Sequence, residues 1–170
     1  RLTMSRVDML TGVFNRNAMN KRVDEFTFDE YASKTQVGVV FADLNGLKSV
    51  NDNQGHHAGD MILKKAAQVL AEQFPECEIY RAGGDEFVIF SPETSEERFC
   101  EKITQLRGLA DNTSDVSFAV GSVYCTGDYD ICKAMQQADE NDIVKDLMGM
   151  YGIQPVDTRP NVNSFRNFTY

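Results

Sequence analysis

The stretch IYRAGGDEFVIF, residues 79–90, decides the fold because it places two glycines between two apolar segments. Those segments are typical of strands, and two residues that tolerate positive φ suit a tight primed turn between antiparallel strands. The stretch therefore predicts a β-hairpin. Asp85 and Glu86 lie at the tip of its turn, where they either meet a ligand or are ordinary solvated turn acids.

The pattern on both sides of the hairpin predicts further helices and strands. The continuous apolar run at residues 37–42 is typical of a strand covered on both faces. Thr94 with Glu97 matches a capping box that opens a helix. Other helices are predicted at 15–26, 59–74 and 130–148, and another strand at 116–123. This order predicts an α/β fold in which helices flank a central mixed, mainly antiparallel sheet.

Length and composition fit one globular domain. The chain has 170 residues, of which 42% are hydrophobic, and this is enough for one core. The sequence has no apolar run long enough to span a bilayer. Its four cysteines are far apart and have neither metal-binding nor disulfide spacing, so reduced thiols in the cytosol are expected.

The net charge of −9 limits the partners. Binding to nucleic acids or anionic membranes depends on clustered Lys and Arg, so neither partner is expected. The charge does not exclude a nucleotide substrate, because a metal ion can neutralise its phosphates locally.

Several motifs, taken in order, resemble those of the GGDEF diguanylate cyclase domains. Residues 8–12, with an Asn-Arg pair at 15–16, resemble the opening signature of that family. Residues 41–60 resemble its metal-binding and guanine-binding segments, and residues 81–87 resemble its hairpin. The resemblance implies the fold seen in the palm of nucleotide polymerases and class III adenylyl cyclases.

The same resemblance implies a domain organisation. Residues 1–7 correspond to the end of an N-terminal linker, residues 8–151 to the GGDEF domain, and residues 152–170 to a C-terminal tail or linker. Family members carry such a linker between a sensor and the cyclase. A fused sensory or regulatory domain and a cytoplasmic location are therefore expected.

The implied activity is condensation of two GTP into cyclic di-GMP with release of two pyrophosphates. It implies a homodimer whose two domains hold their substrates face to face, and Mg²⁺ as cofactor with Mn²⁺ as an alternative. A different reading is a catalytically weak GGDEF module that binds GTP and regulates an attached or partner domain.

Carboxylates at a strand end and on the hairpin make up the implied metal site. Asp43 directly follows an apolar strand, so it is either a metal ligand on a rigid support or a turn acid. The resemblance adds the Leu44 carbonyl, Asp85 and Glu86 as ligands. It also makes Asp85 and Glu86 catalytic, with Asp85 helping to deprotonate the attacking 3′-hydroxyl. Successive strand residues face opposite ways, so both bind only if the turn twists them together.

Other residues are implied to bind the substrate. Lys48 resembles the lysine that contacts the terminal phosphates and is counted as catalytic, but an ordinary surface lysine gives the same pattern. Asn51 and Asp60 resemble the pair that reads guanine. A carboxylate accepts hydrogen bonds from guanine N1–H and the exocyclic amine together, whereas adenine offers no such donor pair. Asp60 is alternatively a stabilising charge at a helix N-terminus.

The hairpin itself completes the implied substrate-binding set. Gly83 and Gly84 belong to this set, and Arg81 either orients the hairpin or approaches phosphate. Asp8 and Arg16 are expected to pair across the first turn and fix the linker against the domain.

Two segments depart from the family pattern. Many family members carry an Arg-x-x-Asp inhibitory site with five residues between its Asp and the Gly-Gly pair. Here residues 74–77 read Phe-Pro-Glu-Cys, so this site is absent. In the last helix, residues 138–141 resemble the family and residues 142–146 do not. Asp146 occupies a position where a phosphate-binding lysine is usual.

Overall fold

A computed structural model describes residues 5–29, 35–109 and 116–150, and for residues 142–150 it describes the backbone. The elements are, in chain order, α1 Arg16–Phe28, β1 Val37–Leu44, α2 Leu47–Gln54, α3 His56–Gln73, β2 Glu78–Arg81, β3 Glu86–Pro92, α4 Glu96–Leu109, β4 Phe118–Cys125 and α5 Ile131–Met150. Within these residues no helix combines the length and the apolar character needed to cross a membrane.

The sheet has four strands in the order β2-β3-β1-β4, and every neighbouring pair of these strands is antiparallel. Parallel pairing occurs at an isolated bridge between Phe14 and Tyr80. The predicted class, an α/β fold with a mainly antiparallel central sheet flanked by helices, is confirmed.

Helices cover both faces of the sheet, so β1 is apolar throughout Val37–Ala42. Val37, Val39 and Phe41 pack with residues of α1 and α5. The alternate residues Val40, Ala42 and Leu44 pack with residues of α3 and α4. Because strand side chains alternate between faces, Asp43 belongs to the face covered by α1 and α5.

The region after β1 contains one helix more than the sequence predicts. α2 has eight residues, none of them buried, and its apolar residues are only Leu47 and Val50, too few for the long apolar stripe that marks a helix in a sequence. α3 begins at His56, three residues before the predicted start at Gly59. Asp60 consequently lies in the second turn of α3, and its alternative role as a charge in the first turn is wrong.

The predicted capping box of α4 is wrong by one residue. The helix is capped by Ser95, whose hydroxyl accepts a hydrogen bond from the Arg98 N–H at 3.3 Å. The Thr94 hydroxyl instead bonds the hydroxyl of Ser91 at 2.6 Å. Glu93 has a φ of 62°, so the chain turns sharply there and removes Thr94 from the capping position.

The hairpin of β2 and β3 is confirmed, but the tight primed turn is wrong. The four residues Ala82–Asp85 separate the strands, and Ala82 and Gly83 N–H both donate to the Glu86 carbonyl, at 2.9 and 3.3 Å. Among the described residues, the glycines with positive φ do not include Gly83 or Gly84. A loop of this length closes without the left-handed backbone that a two-residue turn requires.

Candidate functional site

Asp43 and Glu86 form a pair of facing carboxylates at one end of the sheet. They are directly opposite each other in the antiparallel ladder of β1 and β3. Opposite residues in such a pair project to the same face, with Cβ atoms roughly 5 Å apart. Both side chains are half-buried, so the fold holds two acids close together with restricted access to water.

Burial raises the pKa of Glu86 above its usual value, and the negative charges of Asp43 and Asp139 raise it further, while Arg16 opposes them. Burial and the charge of Asp43 likewise raise the pKa of Asp139, which lies on α5. This part of the site is therefore rich in negative charge.

Asp139 is a member of this group that sequence reasoning did not assign to the site. The available signal was its position beside Ala138, which is fully buried with Ala134 and Met135 on the face of α5 that contacts the sheet. An acid bordering such a face lies near the sheet rather than in open solvent.

The donor set fits Mg²⁺ or Mn²⁺. Mg²⁺ is usually held by one or two carboxylates together with substrate phosphates, and Asp43 with Glu86 supplies two carboxylates. Asp85 is exposed on the loop, and its carbonyl accepts a hydrogen bond from the Leu44 N–H at 2.8 Å. Across the described parts of the chain, no group of three or more His, Cys, Asp or Glu side chains is placed to hold a metal ion. The ligand set Asp43, Leu44, Asp85 and Glu86 stays a prediction.

Two arginines hold the loop that carries Asp85. Arg81 donates to the Gly84 carbonyl from Nη2 at 2.8 Å and from Nε at 3.3 Å, and it pairs with Asp8 at 3.2 Å. Arg16 Nη1 donates to the Ala82 carbonyl at 2.8 Å. The expected pair of Asp8 with Arg16 is therefore wrong, because Arg16 bonds the hairpin loop and Arg81 forms the ion pair with the Asp8 carboxylate. Of the two roles considered for Arg81, the hydrogen bonds support orientation of the hairpin.

An open cavity of about 390 Å³ borders this loop. Its lining consists of residues from the first turn, the start of α1 and the hairpin: Asp8, Asn15, Arg16, Asn17 and Arg81–Gly84. Gly83 and Gly84 thus lie beside space that a ligand can enter.

The packing of α2 on α3 places Asn51, one of the predicted guanine-binding residues, against Gly59, the residue before Asp60. A Cβ atom built on Gly59 would lie 1.8 Å from Asn51 Oδ1, so only glycine allows the Asn51 amide to lie against α3. Asp60 follows Gly59 and is exposed. Lys48, also exposed, is one helical turn before Asn51 on α2.

The carboxylate pair and the hairpin loop lie at the end of β1. Asp43 is the penultimate residue of that strand, and the hairpin loop is hydrogen-bonded to Leu44. α2, which carries Lys48 and Asn51, begins three residues after Leu44. Asp146 was also predicted to bear on the site, but its side chain lies outside the part of the chain that the structure describes.

The chain matches a known protein family over most of its length. A family model described as "Diguanylate cyclase, GGDEF domain" matches residues 5–143. The GGDEF domain of DgcB from Caulobacter crescentus, solved in complex with c-di-GMP, is similar with a TM-score of 0.75 at 20% identity, covering 88% of this chain and 94% of that chain. This likeness supports the fold.

Two curated relatives match parts of the chain. Diguanylate cyclase DosC of Escherichia coli (strain K12) is 29% identical over 144 residues, which are 79% of this chain and 31% of DosC. Cyclic di-GMP phosphodiesterase PdeR of the same strain is 35% identical over 94 residues, which are 55% of this chain and 14% of PdeR. The chain thus spans about a third or less of the length of these relatives.

Proposed function

The chain belongs to the GGDEF domain family, and on that premise we propose that it is a diguanylate cyclase, which condenses two GTP into cyclic di-GMP and releases two pyrophosphates. The observation that carries the proposal is the facing pair of Asp43 and Glu86, with the loop of Asp85 tied to the same end of β1. A purely structural sheet end has no need of two half-buried acids.

The reaction exchanges one oxygen–phosphorus bond for another. The 3′-hydroxyl of each GTP attacks the α-phosphate of the other, and the bond from that phosphorus to the β-phosphate oxygen breaks, so pyrophosphate leaves. Asp85 accepts the hydroxyl proton. Asp43, Asp85, Glu86 and the Leu44 carbonyl would hold Mg²⁺, which would stabilise negative charge on the attacking and leaving oxygens.

The remaining predicted residues bind and orient the substrate. Asn51 and Asp60 recognise the guanine edge, and the contact of Asn51 with Gly59, the residue before Asp60, supports this assignment. Lys48 contacts the terminal phosphates. Arg81 keeps the glycine pair and Asp85 in place through its hydrogen bonds to Gly84.

One domain presents one GTP, so the active form is a homodimer with the two sites face to face. We further propose that residues 8–151 form the catalytic domain, that a sensory or regulatory domain is fused to it, and that it acts in the cytoplasm. These proposals follow from the family relationship.

The test is an assay for cyclic di-GMP by mass spectrometry after incubation of concentrated protein with GTP and Mg²⁺. Asp85→Ala should abolish the product while circular dichroism shows an intact fold. Glu101→Ala, which removes the same charge from an exposed position on α4, should leave the rate unchanged. Undiminished product from Asp85→Ala would refute the catalytic assignment.

A second function, GTP binding for regulation without effective turnover, is favoured by one feature of the sequence. Asp146 stands where the family usually has a phosphate-binding lysine. A unit charge about 6 Å from a phosphate is worth roughly 3 kcal/mol at an effective dielectric constant near 20, before screening. If the negative charge of Asp146 weakens GTP binding, calorimetry will show tighter binding by Asp146→Lys and little change in Lys145→Ala. Strongly weakened binding by Lys145→Ala, with no effect of Asp146→Lys, would instead mean that Lys145 contacts the phosphates.

A further inference from the structure

The turn that precedes α1 holds the Asp8 carboxylate in a fixed position. Asp8 Oδ2 accepts hydrogen bonds from the Thr11 hydroxyl at 2.6 Å and the Thr11 N–H at 3.0 Å. The turn is closed by bonds from Asp8 N–H to the Val13 carbonyl and from Gly12 N–H to the Asp8 carbonyl, at 2.7 and 2.9 Å. Gly12 has a φ of 79°, a conformation that glycine adopts without strain. Asp8 is therefore positioned by its own turn.

This turn is fastened to the edge of the sheet. β2 is an edge strand, and Phe14 N–H donates to the Ile79 carbonyl at 3.0 Å, while Arg81 N–H donates to the Phe14 carbonyl at 2.8 Å. The rings of Phe14 and Tyr80 also pack with centroids 5.3 Å apart. The turn thus adds to β2 much as a short extra strand would.

Arg81 connects the turn to the hairpin loop. Its Nη1 contacts Asp8, and its Nη2 and Nε both contact the Gly84 carbonyl. The ion pair is partly buried, with side-chain exposures of 18% for Arg81 and 20% for Asp8. A planar guanidinium spans two acceptors in fixed directions, whereas a lysine is a single point charge.

The loop needs such support because it contains two adjacent glycines, which have more backbone freedom than any other residue. The Gly84 carbonyl belongs to the peptide group that joins Gly84 to Asp85. Its fixation by Arg81, together with the bond from Leu44 N–H to the Asp85 carbonyl, sets the backbone on both sides of the Asp85 side chain.

We propose that Asp8 is a positioning residue, which acts through Arg81 to hold Gly84 and Asp85 in place. The turn at residues 8–13 and the loop at residues 82–85 then form one mechanical unit. A change in the position of the Asp8 carboxylate is then passed through the Arg81 side chain to the peptide group before Asp85. The part of this inference that concerns catalysis rests on the proposed cyclase activity.

Amide hydrogen exchange tests the coupling without any assay of activity. Asp8→Asn keeps the size of the side chain and removes its charge. We expect exchange at the amides of Ala82, Gly83 and Leu44, which all bond within or to the loop, to accelerate by about tenfold or more, as expected for loss of a hydrogen bond between charged groups. Amides of α4 should keep their rates.

Control variants separate this effect from a general loss of charge or stability. Asp24→Asn removes the same charge from an exposed position on α1 and should change none of these rates. If Asp8→Asn accelerates exchange in α4 as well, the whole domain is destabilised, and Arg81→Lys is measured in its place. Arg81→Lys keeps the positive charge but loses the planar guanidinium, so exchange at Leu44 and the loop should accelerate while α4 keeps its rates. Unchanged exchange at Leu44 and the loop, in Asp8→Asn or in the Arg81→Lys variant that replaces it, overturns the proposal.

The steady-state kinetics give the second readout. With GTP as substrate, Asp8→Asn should lower kcat by about tenfold or more and leave KM nearly unchanged, since Asp85 acts in the chemical step and guanine binding lies elsewhere. A rise in KM with kcat unchanged would overturn the positioning role. If the unaltered protein makes no cyclic di-GMP, the proposed function fails, and hydrogen exchange alone decides whether Asp8 positions the loop.

Discussion

At the scale of single residues, the pair of Asp43 and Glu86 sets the electrostatics of the site. A raised pKa means that the folded protein holds the Glu86 proton more tightly than the unfolded chain does. Folding is therefore favoured most below the usual glutamate pKa of 4.5, and this contribution is lost as the pH rises through the higher pKa of the folded state.

Glu86→Gln should consequently stabilise the metal-free protein at pH 7. Like charges directly opposite each other in a sheet are destabilising, and single cross-strand pairs are worth about 0.2–1 kcal/mol. The free energy of unfolding should therefore rise by an amount of that order in urea titrations. The gain should disappear as the pH falls below the usual glutamate pKa of 4.5, because Glu86 is then protonated and carries no charge, like the glutamine that replaces it. Glu101→Gln, at an exposed position on α4, is the control. A Glu86→Gln protein that is less stable at pH 7 would contradict the repulsion described above.

Asp60 is expected to determine the choice of base. Removing its carboxylate strands the guanine donors, so Asp60→Ala should weaken GTP binding by about 1–3 kcal/mol, roughly five- to 150-fold. ATP affinity should change little. Calorimetry with both nucleotides measures the ratio, and Glu72→Ala on the same helix controls for charge. Equal affinities of the unaltered protein for GTP and ATP would show that Asp60 does not read the base.

At the scale of elements, the segment between α3 and β2 explains why product inhibition is not expected. Phe74 is buried in the core, where an arginine would have to reach solvent. The Cys77 thiol donates to the Ser91 hydroxyl at 3.2 Å. This segment closes the core instead of presenting a cation and a carboxylate to cyclic di-GMP.

Cyclic di-GMP added to the assay should therefore not inhibit turnover through this segment. Titration calorimetry should show no micromolar binding that Glu76→Ala removes, with Glu97→Ala on α4 as the charge control. Micromolar binding that is lost in Glu76→Ala and kept in Glu97→Ala would mean that the segment still forms a product site.

The elements with a long apolar pattern could be predicted from the sequence. β1 is an unbroken apolar run, and the core-facing residues of α1 and α3 recur at helical spacing, so all three were found. α2 could not be predicted in this way, because it is short and none of its residues is buried. The conformation of the loop at 82–85 depends on contacts with Arg16 and Leu44, which are distant in sequence, and on the Arg81 side chain, which folds back onto Gly84. Local turn preferences do not contain these contacts.

Some residues of the site could likewise be predicted from the sequence, and others could not. Asp43, Asn51 and Asp60 stand in motifs with characteristic spacing, so they could be proposed from the sequence, and the fold brings Asn51 next to the helix turn of Asp60. Asp139 reaches the site through the packing of α5 on the sheet. The partner of Asp8 depends on how the first turn docks on β2, which no spacing rule specifies.

At the scale of the whole molecule, the proposed homodimer makes the rate depend on protein concentration. Each domain holds one GTP, so monomers carry no complete pair of substrates. Specific activity should rise in proportion to concentration below the dissociation constant and then level off. Initial rates over a hundredfold concentration range, with sedimentation velocity at the same concentrations, measure both quantities. Constant specific activity from a protein that sediments as a monomer would contradict the dimer.

The strand order also bears on synthesis at the ribosome. β1 lies between β3 and β4, so this early apolar strand has an open edge until residues 118–125 have emerged. Open apolar edges recruit other chains. Nascent chains should therefore need chaperone protection until β4 appears, and a chain released after Leu109 should be found in the insoluble fraction of a cell-free translation. Recovery of that fragment as a cooperatively unfolding monomer would show that β1 does not aggregate while its edge lacks β4.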